Sequence, residues 1–153
     1  AQTHGLWQVR ESIPLAQAEA GLNVKHDIAV PISAMAAFVA DTGAALAAAF
    51  PGVRMITFGH LGDSNLHYNV QASEGVDPAA FLQQHEAAIN TLVLDAVHRV
   101  GGSISAEHGI GQLKRNILPR YQSPVALGMM RAIKQALDPQ NIMNPGKVLP
   151  DQD

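Results

Sequence analysis

Cysteine is absent from this 153-residue chain, and several kinds of site are excluded with it. Without a thiol the protein has no disulfide framework, no thiolate nucleophile and no cysteine-ligated zinc centre. Any metal ion must therefore be held by histidine or by carboxylates. A chain without disulfides suits a reducing compartment, and we expect a cytoplasmic location. The length fits one domain that can bury a core without covalent cross-links.

Charged residues are also scarce, and neither sign dominates. Charged residues make up 15% of the sequence, the formal net charge is -3, and the lysines and arginines form no cluster. Nucleic-acid binding needs positive charge gathered on one face, so nucleic acid is not an expected partner. The 47% of hydrophobic residues are dominated by alanine. Because they form no unbroken apolar run of about eighteen residues, we expect no membrane span.

Hydrophobic periodicity predicts an α+β fold. Apolar residues alternate with polar ones in the segments expected to be strands, and recur every three or four residues in those expected to be helices. The predicted order is strand, helix, strand, strand, helix, strand, which is the order of the ferredoxin-like βαββαβ motif, an antiparallel sheet with helices on one face. In chain order these segments are residues 24–30, 33–50, 53–60, 66–71, 78–100 and 103–105.

Further helices are predicted on both sides of this motif. One covers residues 6–20, and another covers residues 124–137 and leads into a proline-punctuated tail. Ser123 followed by proline is a typical start for the later helix. We therefore expect a core of about residues 22–106 and a C-terminal helical extension of about residues 107–153.

Two histidines flank a short turn in GHLGDSNLH, residues 59–67. If the hairpin is centred on Asp63 and Ser64, His60 and His67 lie directly opposite one another, with Cβ atoms about 5 Å apart. Both imidazoles then reach one metal ion. The same spacing is also compatible with surface histidines that bind no metal. Asn69 lies two positions after His67 and should share its face of the strand.

A second motif, SAEHGIG, contributes an acid and another histidine. Glu107 follows the last predicted strand, so it can meet the hairpin histidines and complete a site with open coordination positions. It can equally be a solvent-exposed acid in the first turn of a helix. His108 is the candidate proton acceptor, since imidazole commonly has this role near neutral pH. A fourth metal ligand or a surface residue are the alternatives for it.

Five segments occur together in one order: WQVRES, NVKHDIAVP, FGHLGDSNLHYNV, GSISAEHGIGQLKR and LDPQNIMNPGKVLP. On these segments the chain resembles the C-terminal part of the FAD-linked oxidase family, over essentially its whole length. The resemblance implies a cap domain with a ferredoxin-like sheet that supplies the substrate and metal site. A separate N-terminal domain would hold most of the FAD, and nothing in this sequence matches it. The chain would then be part of a larger enzyme and inactive by itself.

The resemblance also implies an activity and a set of roles. The activity is oxidation of a D-2-hydroxy acid of the lactate, glycolate or 2-hydroxyglutarate type to the 2-oxo acid, by metal-assisted proton abstraction and hydride transfer to flavin. Pro14 stands where the 2-hydroxyglutarate branch commonly has threonine, which leaves the substrate open. The implied roles are a divalent metal, zinc or manganese, on His60, His67 and Glu107; His108 as the base; Arg10, Lys25 and Asn69 on the substrate; and Asn144 with His108 near the flavin.

Two other functions compete with this interpretation. Ferredoxin-like sheets often associate through their edges, so the chain could be a non-catalytic metal-binding or interaction module, and a homodimer is one such assembly. A self-contained zinc hydrolase with Glu107 as its base is the other. That function is poorly supported, because the sequence lacks an H-E-x-x-H helix.

Overall fold

Proline and capping side chains mark where two of the helices begin. The computed structural model describes residues 2–150. Asp77 and Ser123 each accept a hydrogen bond from a backbone N–H of the first helical turn, and each is followed by proline, as predicted. The elements are α1 Gln2–Glu19, β1 Asn23–Val24, β2 Asp27–Ala29, α2 Ile32–Ala49, β3 Arg54–His60, β4 Asn65–Gln71, α3 Pro78–Arg99, α4 Leu118–Tyr121 and α5 Pro124–Leu137.

The sheet is antiparallel and is built around β4. On one side β4 pairs with β3 along its whole length, and on the other side it pairs with β1 and β2. β1 and β2 keep one register, since Asn23 pairs with Gln71 and Asp27 with His67. A bridge between Ala29 and Ser103 adds a fourth row. The rows follow the order fourth, first, third, second, so the predicted α+β fold with a ferredoxin-like sheet is confirmed.

The first strand is interrupted where a continuous one was predicted. The break falls at Lys25 and His26, between β1 and β2. There the backbone N–H of His26 donates to the side-chain oxygen of Asn69 at 3.0 Å. The N–H of Tyr68 still donates to the His26 carbonyl at 2.9 Å, so the register continues across the break. A side-chain acceptor has replaced a backbone acceptor at this point of the ladder.

The predicted strand at residues 103–105 is reduced to the single bridge at Ser103. The Ser103 hydroxyl donates to the carbonyl of Ser105 at 2.7 Å, which turns the chain away from the sheet. The backbone N–H groups that follow donate to the carboxylate of Asp27 instead of to a neighbouring strand. Local side-chain bonds therefore outcompete the ladder here.

The two faces of the sheet differ in chemistry because polar and apolar residues alternate along β4. Leu66, Tyr68 and Val70 are buried in the core, together with apolar residues of α2 and α3. The opposite face carries polar side chains and is crossed by α1. Gln17 of α1 accepts a hydrogen bond from Asn69 and donates one to Asn23, both at 3.0 Å. The sheet therefore has α2 and α3 on its apolar face and α1 on its polar face.

α2 has the length and mean hydropathy, 1.6, of a membrane-spanning helix by composition alone. Its buried residues recur at helical spacing, with Met35, Phe38 and Leu46 in the core. The rings of Phe38 and Tyr68 meet edge to face at 5.5 Å. In this fold α2 packs one side against the sheet, and its other side, formed mainly by alanine, is exposed.

Burial of His26 predicts a loss of stability in mild acid. Desolvation lowers the pKa of His26 to about 4, although the Tyr68 carbonyl, 2.7 Å from its Nδ1, opposes this. An unfolded histidine titrates near 6.5, so the unfolded chain binds the proton more tightly and gains stability as the pH falls towards 4. We expect His26 alone to lower the free energy of unfolding by about 2.5 kcal/mol between pH 7.5 and 4.5.

Urea denaturation of this chain at the two pH values measures the effect. His26→Gln should abolish this component, whereas His4→Gln, at an exposed position of α1, should keep it. An equal pH dependence in the wild type and in His26→Gln would show that the imidazole of His26 is not the group responsible.

Candidate active site

The hairpin turn places the two motif histidines in a register different from the predicted one. His60 pairs with Asn65, and His67 pairs with Phe58, so His60 and His67 are not directly opposite. The loop has four residues because a 3₁₀ turn, Leu61–Asp63, is closed by Ser64 in the left-handed conformation at φ 67°. The two histidines still share one face, as diagonal neighbours whose Cα atoms are typically about 7–8 Å apart.

Glu107 lies between these two histidines. One carboxylate oxygen is 3.5 Å from Nδ1 of His60, and the other is 3.8 Å from Nε2 of His67. Metal ligands of this kind bind at about 2.0–2.2 Å, so two atoms on one ion are at most about 4.4 Å apart. Both separations are within this limit. Among the described residues, however, the only three whose ligand atoms all lie within 4.8 Å of one another are Asp27, Glu107 and His108, so binding of a divalent ion by His60, His67 and Glu107 stays a prediction.

Arg10 contacts a predicted metal ligand. Its guanidinium lies 2.7 Å from Nε2 of His60, within hydrogen-bond distance. Because guanidinium has no acceptor, His60 accepts at Nε2, which leaves Nδ1 facing Glu107. The binding of a substrate carboxylate by Arg10 stays a prediction, and the contact shown is one that orients the imidazole of His60.

Asp27 is the residue at this site that the sequence did not single out. Its carboxylate is almost fully buried and accepts backbone N–H groups from Ala106 at 3.1 Å, Glu107 at 3.1 Å and His108 at 2.9 Å. The Ser105 hydroxyl donates to it as well, at 3.3 Å. Burial opposes its ionisation, but the three N–H groups outweigh burial and hold the pKa of Asp27 below its usual value. Asp27 therefore fixes the SAEHG loop against β2.

Asp27 also belongs to a second donor set. Ligand atoms of Asp27, Glu107 and His108 all lie within 4.8 Å of one another. Nδ1 of His67 is 4.0 Å from the Asp27 carboxylate, and Nδ1 of His108 is 3.9 Å from it. A carboxylate offers about four lone-pair sites, and the loop N–H groups already occupy most of those on Asp27. This favours Asp27 as an anchor of the loop over Asp27 as a metal ligand.

A signal for Asp27 was present in the sequence. An acid in the middle of an apolar strand has to find partners when the strand is buried, because an unpaired buried charge is costly. Its partners are three consecutive N–H groups of one loop, about eighty residues later in the chain. A single sequence does not reveal that pairing.

Replacing Asp27 by asparagine should release the loop. The amide keeps the shape of the carboxylate but places an N–H₂ group against backbone donors, which leaves buried N–H groups unpaired. We expect a loss of about 2–4 kcal/mol in the free energy of unfolding, together with faster hydrogen exchange at residues 106–108. Asp41→Asn, on an exposed part of α2, is the matched control. Unchanged exchange at these amides would remove the anchoring role.

A cavity of about 650 Å³ connects the loop to the polar face of the sheet. Lys25, His67, Asn69, Glu107 and His108 all line it, so five of the predicted site residues are brought together. Arg10, His60 and Asn144 are not among its lining residues. Lys25 and Lys114 are both among its lining residues, so the cavity offers cations to a small anionic ligand.

Asn69 has less freedom to bind a ligand than its position indicates. Its oxygen accepts the N–H of His26, and its amide nitrogen donates to Gln17, each at 3.0 Å. One amide N–H remains for a substrate. Asn69 thus links α1 to the interrupted strand, and its role in substrate binding stays a prediction.

Lys114 is a further residue of the cavity wall that no sequence motif indicated. Its ammonium group donates to the carbonyls of Ile104 at 2.6 Å and Asp27 at 3.4 Å. Burial lowers the pKa of Lys114, and the negative charge of Asp27 partly offsets this. Lys114 thereby links the residue before the SAEHG loop to β2.

Asn144 lies elsewhere, in the tail beyond α5. It has a left-handed backbone at φ 48° and lines a separate cavity of about 580 Å³ between α5 and the tail. The predicted contact between Asn144 and a flavin stays a prediction. The tail that carries Asn144 reaches the wall of the cavity lined by His108, because Val148 donates its backbone N–H to the carbonyl of Gly111 at 2.7 Å.

Comparison with known proteins identifies the family of this chain. Residues 1–148 match the family model described as FAD linked oxidases, C-terminal domain. The chain is 42% identical over its full length to a D-2-hydroxyglutarate dehydrogenase of Xanthomonas citri pv. viticola, of which it covers 32%. It is 37% identical over 96% of its length to the enzyme of that name from Stutzerimonas stutzeri, covering 31% of it. With the mitochondrial enzyme of Rattus norvegicus it shares 38% identity over 95% of its length, covering 26% of that protein.

The chain thus spans about a third or less of the length of these curated relatives. The match to the family covers nearly every residue, and it includes both histidine motifs and the loop that Asp27 anchors. This chain belongs to the family of FAD-linked oxidase C-terminal domains.

Proposed function

We propose that the protein to which this chain belongs oxidises a D-2-hydroxy acid to the corresponding 2-oxo acid. The observation that carries the proposal is the cavity of about 650 Å³, where a cation, Lys25, and a candidate base, His108, share one wall with Glu107. A hydroxy acid needs a positive group for its carboxylate and a base for its hydroxyl. The names of the relatives support this class of substrate.

Lys25 and His108 have different roles in the proposed reaction. Lys25 binds the substrate carboxylate, which places the 2-hydroxyl near the loop. His108 faces Asp27 with its Nδ1, so its Nε2 is the atom that receives the hydroxyl proton. As that proton leaves, the hydrogen on carbon 2 departs with its electron pair, and the carbon–oxygen bond becomes a carbonyl.

Two groups would complete this chemistry, a divalent ion and FAD. When bound, a divalent ion on His60, His67 and Glu107 would polarise the hydroxyl, and FAD would take up the hydride. Asp27 keeps Glu107 and His108 in place through their backbone N–H groups. The contact between Arg10 and Nε2 of His60 would be released when Nδ1 binds a metal, because the neutral imidazole would then carry its proton on Nε2.

The substrate within this class is set in part by Pro14. This residue lies on α1 and lines the cavity with an apolar ring that has no hydrogen-bond donor. A second carboxylate on the substrate would gain no hydrogen bond from it, which favours shorter acids such as lactate and glycolate, whereas the names of the relatives favour D-2-hydroxyglutarate; we propose all three as candidates.

The test is a substrate screen with the complete, FAD-loaded gene product. Anaerobic addition of a D-2-hydroxy acid should bleach the flavin absorbance near 450 nm, a value typical of oxidised flavins, whereas the L-isomer should not. Metal analysis of the same sample should find a stoichiometric divalent ion, and chelation should slow the reduction. A flavin that no 2-hydroxy acid reduces would overturn the proposal. The homodimer and the cytoplasmic location stay predictions.

A further inference from the structure

Three buried side-chain amides link α1 to the polar face of the sheet, beside the cavity of about 650 Å³. They belong to Gln17, Asn23 and Asn69, whose exposed fractions are 7%, 9% and 4%. Gln17 and Asn69 both line the cavity. Amides buried this deeply need hydrogen-bond partners inside the protein, because an unpaired buried polar group is costly.

The amides form a chain of hydrogen bonds that begins and ends at backbone groups. The amide nitrogen of Asn23 donates to the carbonyl of Gly21 at 3.1 Å. Gln17 donates to the side-chain oxygen of Asn23, and Asn69 donates to that of Gln17, each at 3.0 Å. At the other end, the backbone N–H of His26 donates to the side-chain oxygen of Asn69 at 3.0 Å. All three amides therefore point in the same direction along the chain.

The two backbone ends fix this direction. A carbonyl can only accept a hydrogen bond, and a backbone N–H can only donate one. Reversing a single amide would place oxygen against oxygen or nitrogen against nitrogen. Reversing all three would create the same conflicts at Gly21 and at His26. Because an unsatisfied buried group costs more than a hydrogen bond contributes, one arrangement of the amides is strongly favoured.

The orientation of Asn69 decides what this part of the cavity offers to a ligand. Its oxygen and one N–H are already bonded, so the group that remains is the second N–H of its amide nitrogen. Lys25 also lines the cavity, and it lies in the strand break where His26 donates to Asn69. An ammonium group and an amide N–H are both donors, which suits the oxygens of a carboxylate.

We propose that Gln17 is a positioning residue for substrate binding: it holds the amide of Asn69 so that a donor, and not the oxygen, is available to the substrate carboxylate. This rests on the proposed function, since it assumes an anionic substrate. Without Gln17, the N–H of His26 would be the one remaining hydrogen-bond partner of the Asn69 side chain within residues 2–150. The amide would then be free to rotate and to turn its oxygen towards the substrate.

A double-mutant cycle in the complete, FAD-loaded protein tests this role. Gln17→Met keeps the length of the side chain and removes both of its hydrogen bonds. The probe is D-2-hydroxyglutarate or D-lactate, whichever reduces the wild-type flavin. We expect KM to rise about tenfold with kcat unchanged, since a carboxylate contact is present both before and in the transition state.

Asn69→Ala is the second member of the cycle. It should raise KM by itself, and the addition of Gln17→Met should then have no further effect, because Gln17 acts through Asn69. A glutamine that only fastens α1 to the sheet would instead raise KM by the same factor in both backgrounds. Gln8→Met makes the same chemical change at an exposed position of α1 and should leave KM unchanged.

Hydrogen exchange in the complete protein reports on the amide chain without any turnover. The backbone N–H of His26 is bonded to Asn69 and should exchange slowly in the wild type. Gln17→Met should speed this exchange, since a rotating amide removes the acceptor for part of the time. The N–H of Tyr68, which donates to the carbonyl of His26, should keep its rate. Its unchanged rate would distinguish a rotated amide from an unfolded strand.

The outcomes separate this proposal from the proposed function. Equal increases of KM in the wild-type and Asn69→Ala backgrounds would overturn the role of Gln17 and leave the function standing. Unchanged exchange at His26 in Gln17→Met would overturn it too, since Asn69 would keep its orientation without Gln17. A wild-type flavin that no 2-hydroxy acid reduces would reject the proposed function, and the exchange at His26 would still decide whether Gln17 orients Asn69.

Discussion

His108→Ala is expected to lower the turnover of the complete enzyme by about 100- to 10,000-fold, which is the usual contribution of a general base. The metal content should stay the same, because His60, His67 and Glu107 would still be present. The physical reason is the position of His108: its side chain is exposed into the cavity, and its Nδ1 faces Asp27 rather than the pair of hairpin histidines.

The measurement is a single-turnover flavin reduction combined with metal analysis of the same preparation. His4→Ala, at an exposed position of α1, is the matched control and should behave as the wild type. Equal loss of turnover and metal in His108→Ala would instead make His108 a ligand. That result would favour the donor set of Asp27, Glu107 and His108.

Glu107→Gln is expected to weaken divalent-metal binding by more than the roughly 10- to 100-fold that is typical of residues supporting a ligand. The substitution keeps the size of the side chain but removes the negative charge between two imidazoles that lie 3.5 and 3.8 Å away. A neutral amide is a poor replacement for a carboxylate ligand, so flavin reduction should fall with the metal affinity.

Calorimetric titration with zinc and manganese measures the metal affinity directly. Glu86→Gln, on an exposed part of α3, is the control for removal of one acid. Unchanged metal affinity with reduced turnover would show that Glu107 acts as a hydrogen-bond partner of His60. A larger loss of metal in Asp27→Asn than in Glu107→Gln, with unchanged hydrogen exchange at residues 106–108, would make Asp27 the ligand.

Periodicity was sufficient to predict the architecture because the central strand, β4, has an apolar face and a polar face. The alternation N-L-H-Y-N-V-Q along β4 separates Tyr68 and Val70, in the core, from His67 and Asn69, on the polar face. What periodicity could not predict was the turn. Asp63 accepts the N–H of Asn65 at 3.1 Å, which shifts the centre of the hairpin by one residue and moves His60 away from the position opposite His67.

For the candidate metal ligands too, some contacts were predictable from the sequence and others were not. Glu107 was expected beside the histidines on the strength of strand order, and it lies there. The contact between Arg10 and His60 was not predictable, since it depends on α1 crossing the polar face of the sheet. No local pattern determines which face a flanking helix covers.

The sequence by itself determined the classes of residue available: without cysteine, only histidines and carboxylates can bind a metal, and their order in two motifs identifies the family. Only the tertiary structure decided which of them meet. The carboxylate of Asp27 accepts three N–H groups of a loop about eighty residues later in the chain. These hydrogen bonds hold Glu107 and His108 at the cavity. Alternation along a strand is a local property that sequence spacing records, whereas a carboxylate and a distant loop are brought together only when the strands pair.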